Sequence, residues 1–192
     1  MVITLALGFA MLQPQTKLAP LVCPMTGEEV SMSAGTIDYA GTRFVTCCAG
    51  CPEEFKKDPA KALKGTALKG KTFGEFLFDP ISNARITEKA AKASTDYKGI
   101  RYFFATPEEK KTFDMTPAKF TKAPAKEVLF CSVAGHPIKN YASAGGFVDI
   151  SGTRFYTCCG NCLAKLKADN TLASKAPADQ IKKPAAMDAP KQ

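Results

Sequence analysis

Tryptophan is absent from this 192-residue chain, and histidine occurs once, at His136. A single imidazole excludes histidine-dominated zinc sites and leaves nucleophilic or general-base catalysis without its commonest participant. Paired carboxylates, a nucleophile beside a base and a phosphate-cradling glycine loop are also missing, so the chain is not expected to be an enzyme. The N-terminal apolar run, MVITLALGFAML, is too short to span a bilayer, so no transmembrane span is expected. The formal net charge is +8, yet the lysines are spread along the chain, thickening only at KKDPAKALKGTALKGK and in the tail. They form no basic stripe interleaved with aromatic residues. A solvated surface is therefore the expectation, nucleic acid is not an expected partner, and nothing names a protein partner.

What the chain does have is cysteine, and none of it is scattered. The eight fall at Cys23, Cys47, Cys48 and Cys51, and again at Cys131, Cys158, Cys159 and Cys162, two groups with one internal layout. They sit within a longer repeat. IDYAGTRFVTCC, TDYKGIRYFFAT and VDISGTRFYTCC share Asp, an apolar residue, Gly, Arg and an aromatic residue in one frame. The shared frame predicts a hairpin with a two-residue turn at Ala40-Gly41, Lys98-Gly99 and Ser151-Gly152. Counting outward from the turns places Asp38 opposite Arg43, Asp96 opposite Arg101 and Asp149 opposite Arg154, as structural cross-strand pairs.

Each hairpin is preceded by a turn-like element (CPMTGEEV, DPISNARI, CSVAGHPI) and followed by a short helical segment. In the middle copy Thr106-Pro107-Glu108-Glu109 reads as a capping box, and alignment through the arginines puts Cys48 and Cys159 at the cap position. The cysteines thus ring a helix N-terminus, where backbone N–H groups favour thiolate.

The expected fold is α+β: three tandem small modules over 21–70, 77–122 and 128–172, each a β-hairpin with one or two short helices. The middle module lacks cysteine and is expected to fold without metal as a spacer. Residues 1–20 are expected to hold a secretory signal or its remnant and a linker, which would make the protein exported, to the periplasm or cell envelope. The same run could instead be a buried first strand of a cytoplasmic protein. Residues 173–192, rich in Ala, Lys and Pro, read as a disordered tail.

A lone cysteine, a hairpin, then C-x-x-x-C leading into a helix resembles treble-clef zinc sites, and more specifically the TRASH and YHS family of small metal-binding modules. The resemblance matches Cys23, Cys47 and Cys51, and Cys131, Cys158 and Cys162, to the family trio, and Asp79-Pro80 to a typical YHS opening. It implies a role in sensing, trafficking or resistance to heavy-metal ions such as copper, zinc or mercury. Cys48 and Cys159 depart from the pattern, standing where a serine-like residue is usual. If they complete the shell, four thiolates suit zinc; if they face away, three suit copper(I), with two ions expected in either case. His136, Met25 and Met32 are lesser ligand candidates. The alternatives are a structural zinc module for protein interaction, or a cell-envelope thiol-disulfide protein with the cysteines paired.

Overall fold

Three residues with side chains, Ala40, Lys98 and Ser151, take a left-handed backbone at φ 50, 50 and 49°, and the glycine after each takes φ 80°. Two successive positive φ values make the tight turn whose twist matches that of the strands it joins. In the computed structural model, which describes residues 18–190, these turns close three hairpins. The first joins β1 (Gly35–Tyr39) to β2 (Thr42–Thr46) and leads into α1 (Cys51–Lys57) and α2 (Pro59–Ala62). A short β3 (Gly74–Phe76) precedes the second, β4 (Ala93–Tyr97) and β5 (Ile100–Phe104), with α3 (Pro107–Met115) and α4 (Pro117–Phe120). Then β6 (Lys126–Val128), β7 (Phe130–Cys131) and β8 (His136–Pro137) lead to the third, β9 (Gly146–Ile150) and β10 (Thr153–Thr157), followed by α5 (Gly160–Ala168). A last strand, β11 (Met187–Asp188), ends the series. The architecture is mixed α/β, consistent with α+β.

The expected cross-strand pairs are present. Asp38 lies opposite Arg43, Asp96 opposite Arg101 and Asp149 opposite Arg154. Each arginine donates two parallel bonds to its aspartate, at 2.9 and 3.0, 3.0 and 3.2, and 2.8 and 2.8 Å. Arg101 and Arg154 do more than the sequence implied. Both are buried, and their guanidinium groups also donate to backbone carbonyls, Arg101 to Ala19 ahead of the first unit and Arg154 to Lys122 ahead of its own.

Helices break where proline forbids an upstream residue from staying helical. Asp58-Pro59 and Thr116-Pro117 each divide the helical segment in two, within the one or two short helices expected. The Thr106 capping box is formed in full, with the Thr106 hydroxyl accepting from the Glu109 N–H and Glu109 accepting from the Thr106 N–H.

The units do not pack separately. One six-stranded sheet runs β11-β1-β2-β3-β5-β4, so β3 joins the first two hairpins, antiparallel to β2 and parallel to β5. The third hairpin forms its own sheet, β6-β10-β9, with β6 parallel to β10. An aromatic core of Phe76, Phe78, Tyr102, Phe104, Phe113, Tyr141, Phe147 and Tyr156 draws on the second and third hairpins together. A second cluster under the first hairpin is built on Ile37, Phe44, Phe55 and Phe73, and Ile100 packs against both. The independent middle spacer expected from the repeat is therefore replaced by a unit whose core is shared.

The C-terminal stretch also differs from its composition. Met187 and Asp188 pair with β1, Lys182 exchanges backbone bonds with Glu127, and Asp188 lies 2.7 Å from Lys56. Backbone pairing with an otherwise open sheet edge orders it, and apolar content does not register that interaction. The apolar N-terminal run lies outside the described residues. Among the described residues no helix is long and apolar enough to cross a membrane.

Phe78 is fully buried and packs edge-on against Phe147 and close to Tyr156. Phe78→Ala is expected to cost about 3–5 kcal/mol and to lower amide protection in the second and third hairpins together. Hydrogen exchange showing a loss confined to 79–120 would contradict the shared core.

Candidate metal centres

Each unit opens with a tight turn whose first residue is buried. Gly27 donates to the Cys23 carbonyl at 2.8 Å, Asn83 to that of Asp79 at 2.7 Å and Gly135 to that of Cys131 at 2.7 Å. All three donors have positive φ, at 72, 57 and 77°. The turn wraps the side chain of its first residue in backbone N–H groups. In the middle unit that side chain is a carboxylate: Asp79 accepts from Ile81 and Ser82 within the turn and from Ala105 at the strand-to-helix junction, at 2.8, 3.2 and 2.8 Å.

In the outer units a sulfur takes the same place. Burial pushes the Cys23 thiol up, but bonds from the backbone N–H groups of Cys47, Met25 and Thr26 outweigh it and hold the thiol below its ordinary value. Cys131 behaves alike, with burial opposed by the N–H groups of Cys158, Ala134 and Val133 and by the Cys158 side chain. The donors occupy equivalent positions in all three units. A concavity of N–H groups that holds a carboxylate in one copy holds a sulfur in the others and favours its ionised form.

The other sulfurs come from the junction. Cys47 and Cys158 follow β2 and β10, and Cys51 and Cys162 lie in the first turns of α1 and α5. Cys23, Cys47 and Cys51 lie with every sulfur within 4.8 Å of the others, as do Cys131, Cys158 and Cys162. The Cys47–Cys51 and Cys158–Cys162 sulfur separations are 3.9 and 3.7 Å. Thiolates bound at about 2.3 Å to one ion sit about 3.8–4.0 Å apart, so the donor sets fit a thiophilic metal. Burial, and then the neighbouring Cys131 sulfur, raises the Cys158 thiol. Burial and the sulfurs of Cys159, Cys158 and Cys131 push Cys162 well above its usual range. In the third unit the backbone thus favours ionisation of Cys131, while burial and the neighbouring sulfurs oppose ionisation of Cys158 and Cys162.

Cys48 and Cys159 stand outside both triads. Cys159 is exposed and caps α5, its sulfur accepting from the Cys162 N–H at 3.4 Å. That bond chiefly lowers its thiol. Cys48 is disulfide-bonded to Cys51, so in the first cluster Cys51 belongs at once to the triad and to a covalent pair. A four-sulfur shell is not what the geometry assembles, because neighbouring residues at the end of an extended strand aim their side chains to opposite sides.

His136 is exposed, with Nδ1 3.2 Å from the Pro137 carbonyl, and belongs to neither triad. Met32 is exposed and Met25 packs against the cluster of Phe44 and Phe55. No family model, curated protein or solved structure matches the chain.

Asp79 was not among the residues that sequence reasoning singled out for chemistry. Its signal was its place at the head of the opening turn, aligned with Cys23 and Cys131. Asp79→Ala removes the acceptor of three part-buried N–H groups, at a cost of up to about 1–3 kcal/mol for each one left unpaired. A denaturant melt should show that loss, with Asp79→Asn milder because it keeps one carbonyl acceptor, and metal content should not change. A neutral Asp79→Ala would contradict the N–H nest.

Proposed function

We propose that this protein binds two soft metal ions, one at Cys23, Cys47 and Cys51 and one at Cys131, Cys158 and Cys162, and serves in heavy-metal handling. The supporting observation is the pair of triads, each with sulfurs within 4.8 Å of one another. Three sulfurs without a fourth protein donor suit copper(I) better than a closed zinc site. Cys47, Cys158 and Cys162 are only partly buried, which favours an exchangeable ion over a locked structural one.

The recurring turn, hairpin and helix support reading the chain as three tandem copies of one module, the middle copy having exchanged its thiolate for Asp79. On this reading the chain is a divergent relative of the TRASH and YHS modules. It is a binding protein, not an enzyme, and the N-terminal apolar run suits export. Because the Cys158 and Cys162 thiols are raised, metal uptake must displace their protons. Affinity therefore falls as pH is lowered.

The test is a competitive titration of anaerobically reduced protein with copper(I). Two equivalents are expected. Cys162→Ser should lower that site's affinity by at least tenfold, leaving one tight equivalent, while Cys159→Ser retains both. Equal losses from the two variants would show a four-sulfur shell and favour structural zinc.

A further inference from the structure

In both clusters the cysteine outside the triad and one cysteine inside it form a C-x-x-C pair: Cys48-Ala49-Gly50-Cys51 and Cys159-Gly160-Asn161-Cys162. The structure holds the two pairs in different states. Cys48 and Cys51 are joined, with Cα atoms 5.4 Å apart, whereas Cys159 and Cys162 are free thiols linked by the Cys162 N–H to Cys159 sulfur bond. The helix starts differ accordingly. With its thiol free, Cys159 takes extended φ and ψ of −157 and 167° and caps a helix that begins at the next residue. Cys48, at the equivalent position, is no cap: α1 begins only at Cys51, and Gly50, at φ −84 and ψ −20°, precedes it with no side-chain cap. Thr106 shows what the position does when no sulfur is present, and there the capping box is complete. The same backbone site thus appears as a hydroxyl cap, a thiol cap and a disulfide.

Resting on the metal reading above, we propose that Cys159–Cys162 is a second dithiol/disulfide site equivalent to Cys48–Cys51, and that in each cluster disulfide and metal ion exclude one another. Cys51 and Cys162 are the shared atoms. Each is needed as the third sulfur of a triad and as the partner of the exposed cysteine. A sulfur spent in a disulfide is a poor ligand for a thiophilic ion, so oxidation reduces three thiolates to two and releases the ion.

The oxidant is a disulfide, either a small molecule or a protein partner. The exposed Cys159 sulfur attacks one sulfur of RSSR as thiolate, forming a mixed disulfide and expelling RS⁻. Cys162 then attacks the Cys159 sulfur and expels the second RS⁻. The two protein sulfurs give up two electrons and RSSR becomes two RSH, the protons coming from the Cys159 and Cys162 thiols in the metal-free cluster and, in the loaded one, from Cys159 and solvent, because Cys162 is there already a thiolate. Exposure of Cys159 and Cys48 places the attacking sulfur at the surface, while the shared partner lies beneath it.

The experiment uses the full chain, reduced and loaded with Cd²⁺, which is soft and has no redox chemistry of its own here. Oxidised glutathione is added while cadmium release is followed through loss of the thiolate-to-cadmium absorption, and disulfides are mapped by peptide mass. Wild type should release two Cd²⁺ with Cys48–Cys51 and Cys159–Cys162 as the mapped pairs. Cys159→Ser should release one and keep one, and Cys48→Ser combined with Cys159→Ser should keep both, at least tenfold more slowly released. Release from the double variant at the wild-type rate would overturn the proposal, as would a map pairing Cys158 with Cys162. Reduced wild type that takes up no Cd²⁺ would sink the metal reading and mutual exclusion with it. The mass map separately decides whether Cys159 and Cys162 pair.

Discussion

A buried acceptor beneath each strand-to-helix junction is the constraint on which the molecule is built. The opening turn and the junction aim backbone N–H groups at one point in every unit, and an acceptor has to stand there. Asp79 meets that need with a carboxylate that requires nothing else. Cys23 and Cys131 meet it with sulfur, whose ionised form the N–H groups favour, and in the third unit that sulfur stands beside Cys158 and Cys162, whose thiols are raised. The same backbone arrangement accounts for a metal-free copy and for two metal-competent ones. The difference between them is side-chain chemistry at the head of the turn and at the junction.

The two triads are not supported alike. Cys131, Cys158 and Cys162 border the aromatic core that the second and third hairpins share, the largest buried cluster among the described residues. The first triad is flanked by Val22 and Phe55 of a smaller cluster, over a sheet edge closed by the C-terminal strap at Met187–Asp188. Thr26 adds a hydroxyl 3.5 Å from the Cys47 sulfur, where the third unit has Ala134. Two triads of the same residue type therefore differ in their surroundings.

Much of this was legible from local pattern. The x-Gly turns, the Asp–Arg register, the capping box at Thr106 and the gathering of Cys23 with the cysteines at 47, 48 and 51 all follow from spacing within some thirty residues, while the trio of Cys23, Cys47 and Cys51 was what the family resemblance implied. What spacing does not carry is how units meet. The parallel pairing of β3 with β5, the shared core around Phe78 and the docking of Met187–Asp188 on β1 are long-range choices made by packing and by an unpaired sheet edge. Asp79 was legible as part of a turn but not as a counterpart of cysteine, because the equivalence lies in shared N–H donors. Cys48 and Cys159 had two open readings in sequence, and their place outside the triads follows from side-chain direction at the end of a strand.

The central claim is that each ion sits among three sulfurs of this chain. X-ray absorption at the copper edge, on anaerobically reduced protein loaded with two equivalents of copper(I), reads that shell directly. The account predicts a shell of sulfur alone, three scatterers per copper averaged over both sites. A shell dominated by nitrogen or oxygen, or one of four sulfurs, would contradict it.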